Sequence, residues 1–357
     1  MTYFNQLGTQ EFSPLKYNPF VVPSKPLTDD WKRWIAENKL LGADDNSLVQ
    51  TLVQHGIDAN VARRELQTVR SHPYFQAGRN FTDALRKLES HADISIKLAE
   101  LSPKQQQIER RDKLTQQEFL ENYYATSTPV ILTGLMDNWP ALSLWSPEYL
   151  KANYGDVEIE VQTGRNSDPI HEINVDLHRT KLLMRDYVDL IVNSDPTNDF
   201  YMVANNRNIE REGMQSLVDQ IEFFPEYLDP KNTKGNFFFW LGPAGTITPL
   251  HQDTANIFMA QVYGRKHWKM IPPYYNHLIY NYRGVFSEVD LDNPDYDRFP
   301  LFKQVKMIDV VVEPGEVIFI PVAWWHYVRS LDVSISLSFT NFLFPNQYQW
   351  NFPDIKR

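Results

Sequence analysis

Four residues stand out for the chemistry their types allow: His251, Asp253, Lys266 and His326. His251 and Asp253 lie two apart in "TPLHQDTANIFMAQVYGRKHW", which starts at Thr248. In an extended segment, residues two apart leave the same face of a sheet. His326 sits in "IPVAWWHYV", at the start of a later expected strand. In an antiparallel barrel, strands distant in sequence face each other across the interior. Two imidazoles and one carboxylate brought together that way can hold a metal by one face and leave three positions open.

Each of these residues has a plainer reading. A lone histidine near a strand is more often a hydrogen-bonded core residue than a ligand, and H-x-D recurs by chance. His171 lies in "HEINVD", metal-like in composition, and reads as a loop residue. Lys266 is the informative neighbour. It closes the apolar run that begins near His251, where a long strand can carry an ammonium to the inner end of a cavity. A buried lysine needs a counter-charge, because its desolvation is costly. A dicarboxylic co-substrate that chelates the metal through a 2-oxo acid end would bring one. The bland alternative is an exposed hairpin lysine in "YGRKHW", the role Arg265 beside it fits.

The chain has no cysteine among its 357 residues. Disulfides, thiolate metal sites, iron–sulfur clusters and cysteine nucleophiles are excluded, and any metal falls to His and carboxylate ligands. The His/Asp/His set with open positions is that of non-haem ferrous oxygenases, which take a 2-oxo acid and then dioxygen. The net charge is −10: residues 1–112 carry +1 and residues 113–357 carry −11. A nucleic-acid partner is therefore not expected, since phosphate contacts need a basic face. No basic stretch followed by an apolar one opens the sequence, and no apolar run approaches the roughly 20 residues of a membrane span. A soluble, cytoplasmic protein is expected.

The elements that must position these residues fall into two regions. Residues 1 to about 27 read as an extended arm. Helices follow: "LTDDWKRWIAENKLLG", with Trp31, Trp34 and Ile35 on one face, then "NSLVQTLVQHG" and "DANVARRELQTVRSHP", ended by Pro73. This group resembles a three-helix module of the ubiquitin-associated type. "NFTDALRKLESHA" adds a helix, and "SPKQ" at Ser102 and "TQQE" at Thr115 read as capping boxes. After Tyr124 come a buried strand in "TPVILTG", a capped helix in "SPEYLKANYG", a half-buried strand in "VEIEVQTG", a helix in "LMRDYVDLIVN" and a short strand in "DFYMVAN". From Asn236 nearly everything reads as strand, with a tight turn at Pro314-Gly315. "VSISLSFT" alternates an apolar face with a small polar one. Many antiparallel strands predict a sandwich or barrel.

The stretches around these motifs resemble the JmjC family of cupin-like Fe(II)/2-oxoglutarate oxygenases, closest to its protein-hydroxylase branch. "FWLGPAGTITPLHQDTANIFMAQVYGRKHWKMIPP", "VDLDNPDYDRFPLF" and "VVVEPGEVIFIPVAWWHYVRSLDVSISLSF" carry the likeness, and "TPVILTGLMDNWPAL" resembles the family's entry segment. The resemblance implies a mostly β fold: a double-stranded β-helix (jelly-roll, cupin) core with flanking helices over 113–345. An N-terminal arm and helical region over 1–112 and a tail over 346–357 lie outside it. It implies His251, Asp253 and His326 as iron ligands. Lys266, Thr248 and Tyr201 would hold the distal carboxylate of 2-oxoglutarate. Trp240 would line the pocket. Asn256 is a further co-substrate candidate, one position earlier than the family's asparagine, and Asn341 another. Phe237, Phe238, Phe239 and Ile257 are expected to supply dry walls.

The implied reaction uses Fe(II), 2-oxoglutarate and dioxygen to hydroxylate a C–H bond, releasing succinate and carbon dioxide. A peptide or protein side chain is the first expected substrate. A free amino acid, a small metabolite or a peptide natural-product precursor is the alternative, and N-demethylation follows from the same chemistry. A silent metal-binding cupin is the non-enzymatic reading. A homodimer through the tail or through Trp31 and Trp34 is a further expectation, against packing on the same chain.

Overall fold

The computed structural model describes residues 24–351. Most of the expected N-terminal arm, and the last six residues of the tail, lie outside them. Among the described residues two compact units form: 24–95 together with 296–301, and 96–295 together with 302–351. Among the described residues, no helix is long and apolar enough to cross a membrane.

In the first unit, α1 (Asp29–Leu40), α2 (Asp45–Gln54) and α3 (Ala59–Ser71) start at side-chain N-caps from Thr28, Asp44 and Asp58. Each cap oxygen accepts backbone N–H groups that the first helical turn leaves without partners. Ile35, Leu48, Leu52, Ala62 and Leu66 pack into one small core, with Trp31 and Trp34 against it. Pro73 ends α3 as expected, but it also opens α4 (Pro73–Glu100), far longer than the helix expected at Asn80. Proline is tolerated there because the first turn needs no amide donor.

The "SPKQ" capping box does not form. Ser102 makes no side-chain cap, and Pro103–Gln106 is a single tight turn. The Thr115 box does form, with Thr115 and Glu118 bonding reciprocally. Residues just before 113 also join the sheets. β1 (Glu109–Arg111) pairs in parallel with β2 (Val130–Leu132), so the preceding segment already belongs to the main sheet. α5 (Gln116–Phe119), α6 (Pro140–Leu144), α7 (Pro147–Tyr154), the antiparallel pair β3 (Glu158–Gln162) and β4 (Arg179–Leu183), and α8 (Met184–Asn193) complete this stretch.

The remaining strands are β5 (Phe237–Gly242), β6 (Ile247–Gln252), β7 (Ile257–Tyr263), β8 (Lys266–Ile271), β9 (Asn281–Arg283), β10 (Phe286–Ser287), β11 (Ile308–Val312), β12 (Val317–Ile320), β13 (Trp325–Ser330) and β14 (Ser334–Phe339). They build two six-stranded sheets, ordered β1-β2-β12-β7-β14-β5 and β11-β8-β13-β6-β10-β9. Every pairing but β1–β2 is antiparallel. This is a double-stranded β-helix, a jelly roll with flanking helices.

The first sheet is buried on both faces. Outward, Phe239, Phe258, Phe319, Leu337 and Phe339 pack with Trp145, Leu150, Tyr187 and Ile191 from the helices. Inward, Ile131, Met259, Ile318 and Ile320 meet Trp268, Met270, Val312 and Val328 of the second sheet. That double burial explains the near-continuous apolar runs of β7 and β12, since neither face needs a polar set. The alternation of "VSISLSFT" has an unexpected cause. Ser334, Ser336 and Ser338 are buried and face the interior between the sheets. Ser336 donates to Gln261 at 2.8 Å, and Ser338 accepts from Trp240 Nε1 at 2.9 Å.

Candidate active site

β6 and β13 lie side by side, and His251 pairs directly with His326. Their rings stand 4.1 Å apart between centroids. Asp253 comes just after β6 ends, in the loop to β7. Its carboxylate lies 3.3 Å from His326 Nε2 and 4.0 Å from His251 Nε2. One ligand atom from each residue lies within 4.8 Å of the others. Among the described residues this is the one His/carboxylate group so arranged.

Both imidazoles are oriented from behind. His251 Nδ1 faces the Pro249 carbonyl at 2.9 Å, and His326 Nδ1 faces the Trp324 carbonyl at 3.0 Å. A carbonyl only accepts, so each Nδ1 carries the proton and each Nε2 keeps its lone pair toward the centre. Burial, reinforced by the His326 ring, holds His251 down to about 4, so it is neutral near pH 7. Burial resists ionisation of Asp253, but its close contact with the His326 ring and the nearby His251 ring hold its carboxyl below the usual range. Two neutral nitrogens and one carboxylate oxygen, with no sulfur, suit an octahedral divalent metal held by one face.

Lys266 does not lie on one long strand with His251. Instead the chain turns twice, and Lys266 opens β8 on the far side of β13 from β6. Strand register still brings it to the same interior. On β13, His326, Val328 and Ser330 alternate onto one face, opposite Met270, Trp268 and Lys266 of β8. Lys266 therefore lies four residues from the partner of His326, about 13 Å along the strand.

Lys266 is 2% exposed, and its ammonium donates to Tyr201 Oη at 3.1 Å. It also stands 6.0 Å from the Trp240 ring centre. Among the described residues no carboxylate pairs with it, and burial alone pulls it down to about 7. A buried ammonium with no counter-anion, deep beside a metal-type ligand set, fits the distal carboxylate of a small diacid.

Thr248 reaches this face through an irregularity. It is three residues before His251, which in a regular strand would point it away. The register slips between His326/His251 and Val328/Thr248, giving β6 one extra residue. Such a bulge resets the alternation, so Thr248 and His251 share the inner face.

Tyr201 and Met202 are a bridge between sheets rather than the expected strand. Gln162 pairs with Tyr201, and Met202 pairs with Leu241 of β5. Gly242 makes room for the Tyr201 ring, since a Cβ there would meet Tyr201 Cδ2 at 2.6 Å.

Asn256 does not reach the co-substrate region. Its amide oxygen accepts from Val322 N at 2.8 Å, and its amide nitrogen donates to Asn346 Oδ1 at 3.0 Å and Tyr348 Oη at 3.2 Å. Asn341 lies just beyond the end of β14 and donates to the Asp229 carbonyl at 2.7 Å. Phe237 and Phe239 belong to the outer core too. Pocket-side positions of β5 are Phe238 and Trp240, paired with Ser338 and Ser336. Ile257 packs with the interior set, as expected.

Arg165 was missed in the sequence. It is fully buried, pairs with Glu172 at 2.7 Å, donates to His171 Nε2 at 2.9 Å and to the Ile247 carbonyl at 2.8 Å, and packs 5.2 Å from the Tyr201 ring centre. Burial drives Glu172 upward, and burial together with Arg165 holds His171 down to about 4. His171 is thus a buried turn residue in an ion cluster and is not brought to the triad. Gln162 was missed as well. It is buried with both amide atoms unpartnered, on the same side of its backbone pair as Tyr201. No charge pattern marks either residue, so no signal in the sequence pointed to them.

The chain matches the family described as cupin-like domain over residues 115–347. It is 34% identical over 241 residues to "Lysine-specific demethylase JMJ30" of Arabidopsis thaliana, covering 65% of this chain and 54% of that protein. It is 31% identical over 235 residues to "Lysine-specific demethylase 8" of Xenopus tropicalis, covering 62% and 50%. It is 32% identical over 241 residues to "JmjC domain-containing protein D" of Dictyostelium discoideum, covering 62% and 53%. The chain spans about half the length of these relatives. It belongs to the cupin-like domain family, and its similarity extends to proteins that carry JmjC names.

Proposed function

We propose that this protein is an Fe(II)- and 2-oxoglutarate-dependent oxygenase that oxidises a C–H bond in a peptide or protein side chain. One observation carries the reading: the triad and the unpaired Lys266 ammonium share the interior face built on β6, β13 and β8. His251, Asp253 and His326 would hold the metal. Lys266, with Tyr201 and Thr248, would hold the distal carboxylate. Bound iron with its 2-oxo acid supplies dioxygen activation coupled to oxidative decarboxylation.

The remaining work falls to this chain's own groups. Pro249 and Trp324 carbonyls fix the two imidazoles, so the ligand set is formed before the metal arrives. Lys266 and Tyr201 orient the diacid along the interior. Met259, Trp268, Met270 and Val328 exclude water around it. Asp253 is the most exposed ligand, with its side chain 29% accessible against 4% for His326, which leaves the substrate an approach from its side.

A second reading draws on the printed names of the relatives, two of which are called lysine-specific demethylases. Oxidation of an N-methyl carbon by the same chemistry collapses to formaldehyde and a shortened amine. The test is one assay with two product readouts. Iron-loaded protein with 2-oxoglutarate and a panel of methylated and unmethylated peptides should release succinate with the right peptide. A peptide that gains oxygen supports hydroxylation. Loss of a methyl group with formaldehyde supports demethylation. Absence of succinate with or without any peptide would leave a silent metal-binding cupin.

A further inference from the structure

The tail, which in sequence lies outside the JmjC-like region, is tied through residues 346–350 to the loop that carries Asp253. Asp253–Asn256 is the four-residue link from β6 to β7. On one side it is held by the chain leading to His326: Ala323 N donates to the Asp253 carbonyl at 3.2 Å and Val322 N to Asn256 Oδ1 at 2.8 Å. On the other side it is held by residues 345–350. Asn346 Oδ1 accepts from Asn256 N at 2.8 Å and from Asn256 Nδ2 at 3.0 Å, and Asn346 Nδ2 donates to the Asn256 carbonyl at 3.0 Å. Trp350 Nε1 donates to the Thr254 carbonyl at 3.0 Å, and Tyr348 Oη accepts from Asn256 Nδ2 at 3.2 Å. The tail is itself anchored: Asn346 Nδ2 donates to the Thr340 carbonyl at 2.8 Å and Tyr124 Oη to the Pro345 carbonyl at 3.1 Å.

We infer that Asn346, Tyr348 and Trp350 form a positioning strap that fixes the Asp253 loop and thereby sets the metal affinity of the triad. His251 and His326 ride on strands whose ladders hold them. Asp253 lies beyond the end of β6, and its own carbonyl has a single backbone bond to Ala323. The carboxylate limb is therefore the one whose place depends on contacts outside the sheets. Asn346 satisfies both the amide and the carbonyl of Asn256, two groups that would otherwise lose partners in a buried place. Groups that orient a ligand from behind typically change metal affinity about 10–100-fold when removed. The inference rests on the triad being the metal site.

The test uses the full chain and Co(II) as probe, titrated by its visible absorption, well below the melting temperature of every variant. Wild type, His251→Ala, Asn346→Ala, Trp350→Phe and Leu52→Ala are compared. Leu52 is core of the helical unit and serves as a destabilised control. Asn346→Ala is expected to weaken Co(II) binding about 10-fold or more, within the range for orienting groups. Trp350→Phe keeps the ring and loses one bond, so a smaller weakening is expected. Leu52→Ala should lower the melting temperature with Co(II) affinity unchanged. If Asn346→Ala does not fold, Trp350→Phe decides. Wild-type Co(II) affinity in the folded strap variants would overturn the strap. Co(II) binding that is lost in none of the variants, including His251→Ala, would instead overturn the metal site.

Discussion

Lys266 and His326 face the same interior from neighbouring strands, with Lys266 opposite Ser330 and His326 opposite Met270. An ammonium without a counter-anion thus stands a fixed distance from a set of metal-type ligands.

Removing a ligand should abolish the centre. His251→Ala or His326→Ala is expected to lower Co(II) affinity by more than the roughly 100-fold upper range for orienting groups. Uncoupled succinate release should vanish with it. Calorimetric titration beside a melting curve separates this from unfolding, and a variant that keeps turnover would discard the ligand assignment.

The affinity for 2-oxoglutarate should fall as pH rises above about 7, where burial places the Lys266 ammonium. Only the protonated form offers the carboxylate a charge, so binding takes up a proton in that range. The sign for stability is the reverse. Between about 7 and the ordinary lysine value of 10.5, the folded state holds fewer protons at this group than the unfolded chain. Its contribution to stability therefore rises with pH across that window. Calorimetry in buffers of different ionisation enthalpy should detect the proton uptake, and Lys266→Met should lose both the uptake and most of the affinity. Binding with no proton linkage in the wild type would contradict this assignment.

Gly242→Ala should act through Tyr201. The added Cβ would crowd Tyr201 Cδ2 at 2.6 Å and Thr246 Cγ2 at 2.9 Å. Overpacking of this kind costs about 1–3 kcal/mol. The displaced phenol should weaken 2-oxoglutarate binding while Co(II) affinity alone stays near wild type. Equal losses of both would show that Tyr201 does not serve the diacid end selectively.

Arg165→Met should destabilise strongly, by about 3–5 kcal/mol, because it leaves Glu172 buried without its cation. The double variant Arg165→Met/Glu172→Gln should recover much of that loss, since it removes both charges together. Denaturant unfolding of wild type, Arg165→Met, Glu172→Gln and the double variant forms a cycle, and additive effects would show that the two residues do not act as a pair.

Much of this architecture is legible along the chain, for identifiable reasons. The caps at Thr28, Asp44, Asp58 and Thr115 are local, since side chain and amide are within three residues. Ser102 carries the same pattern and fails, because Gln107 is already extended and no helix follows to be capped. Strand existence was readable from apolar runs, but which face looks inward was not. β5 and β7 are apolar on both faces, so the wall expected of Phe237 and Phe239 turned out to be the outer core.

Residue order alone supplies an inventory: two histidines and an aspartate able to bind a metal, a lysine able to meet an anion, no cysteine to compete, and strands enough for a barrel. Tertiary structure decided who meets whom. The bulge in β6 turned Thr248 inward, the tail claimed Asn256, and Arg165 found Glu172 beside Tyr201. The physical reason is that side-chain type is a property of one residue, whereas register, bulges and the pairing of buried polar groups are settled only when distant segments compete for the same partners.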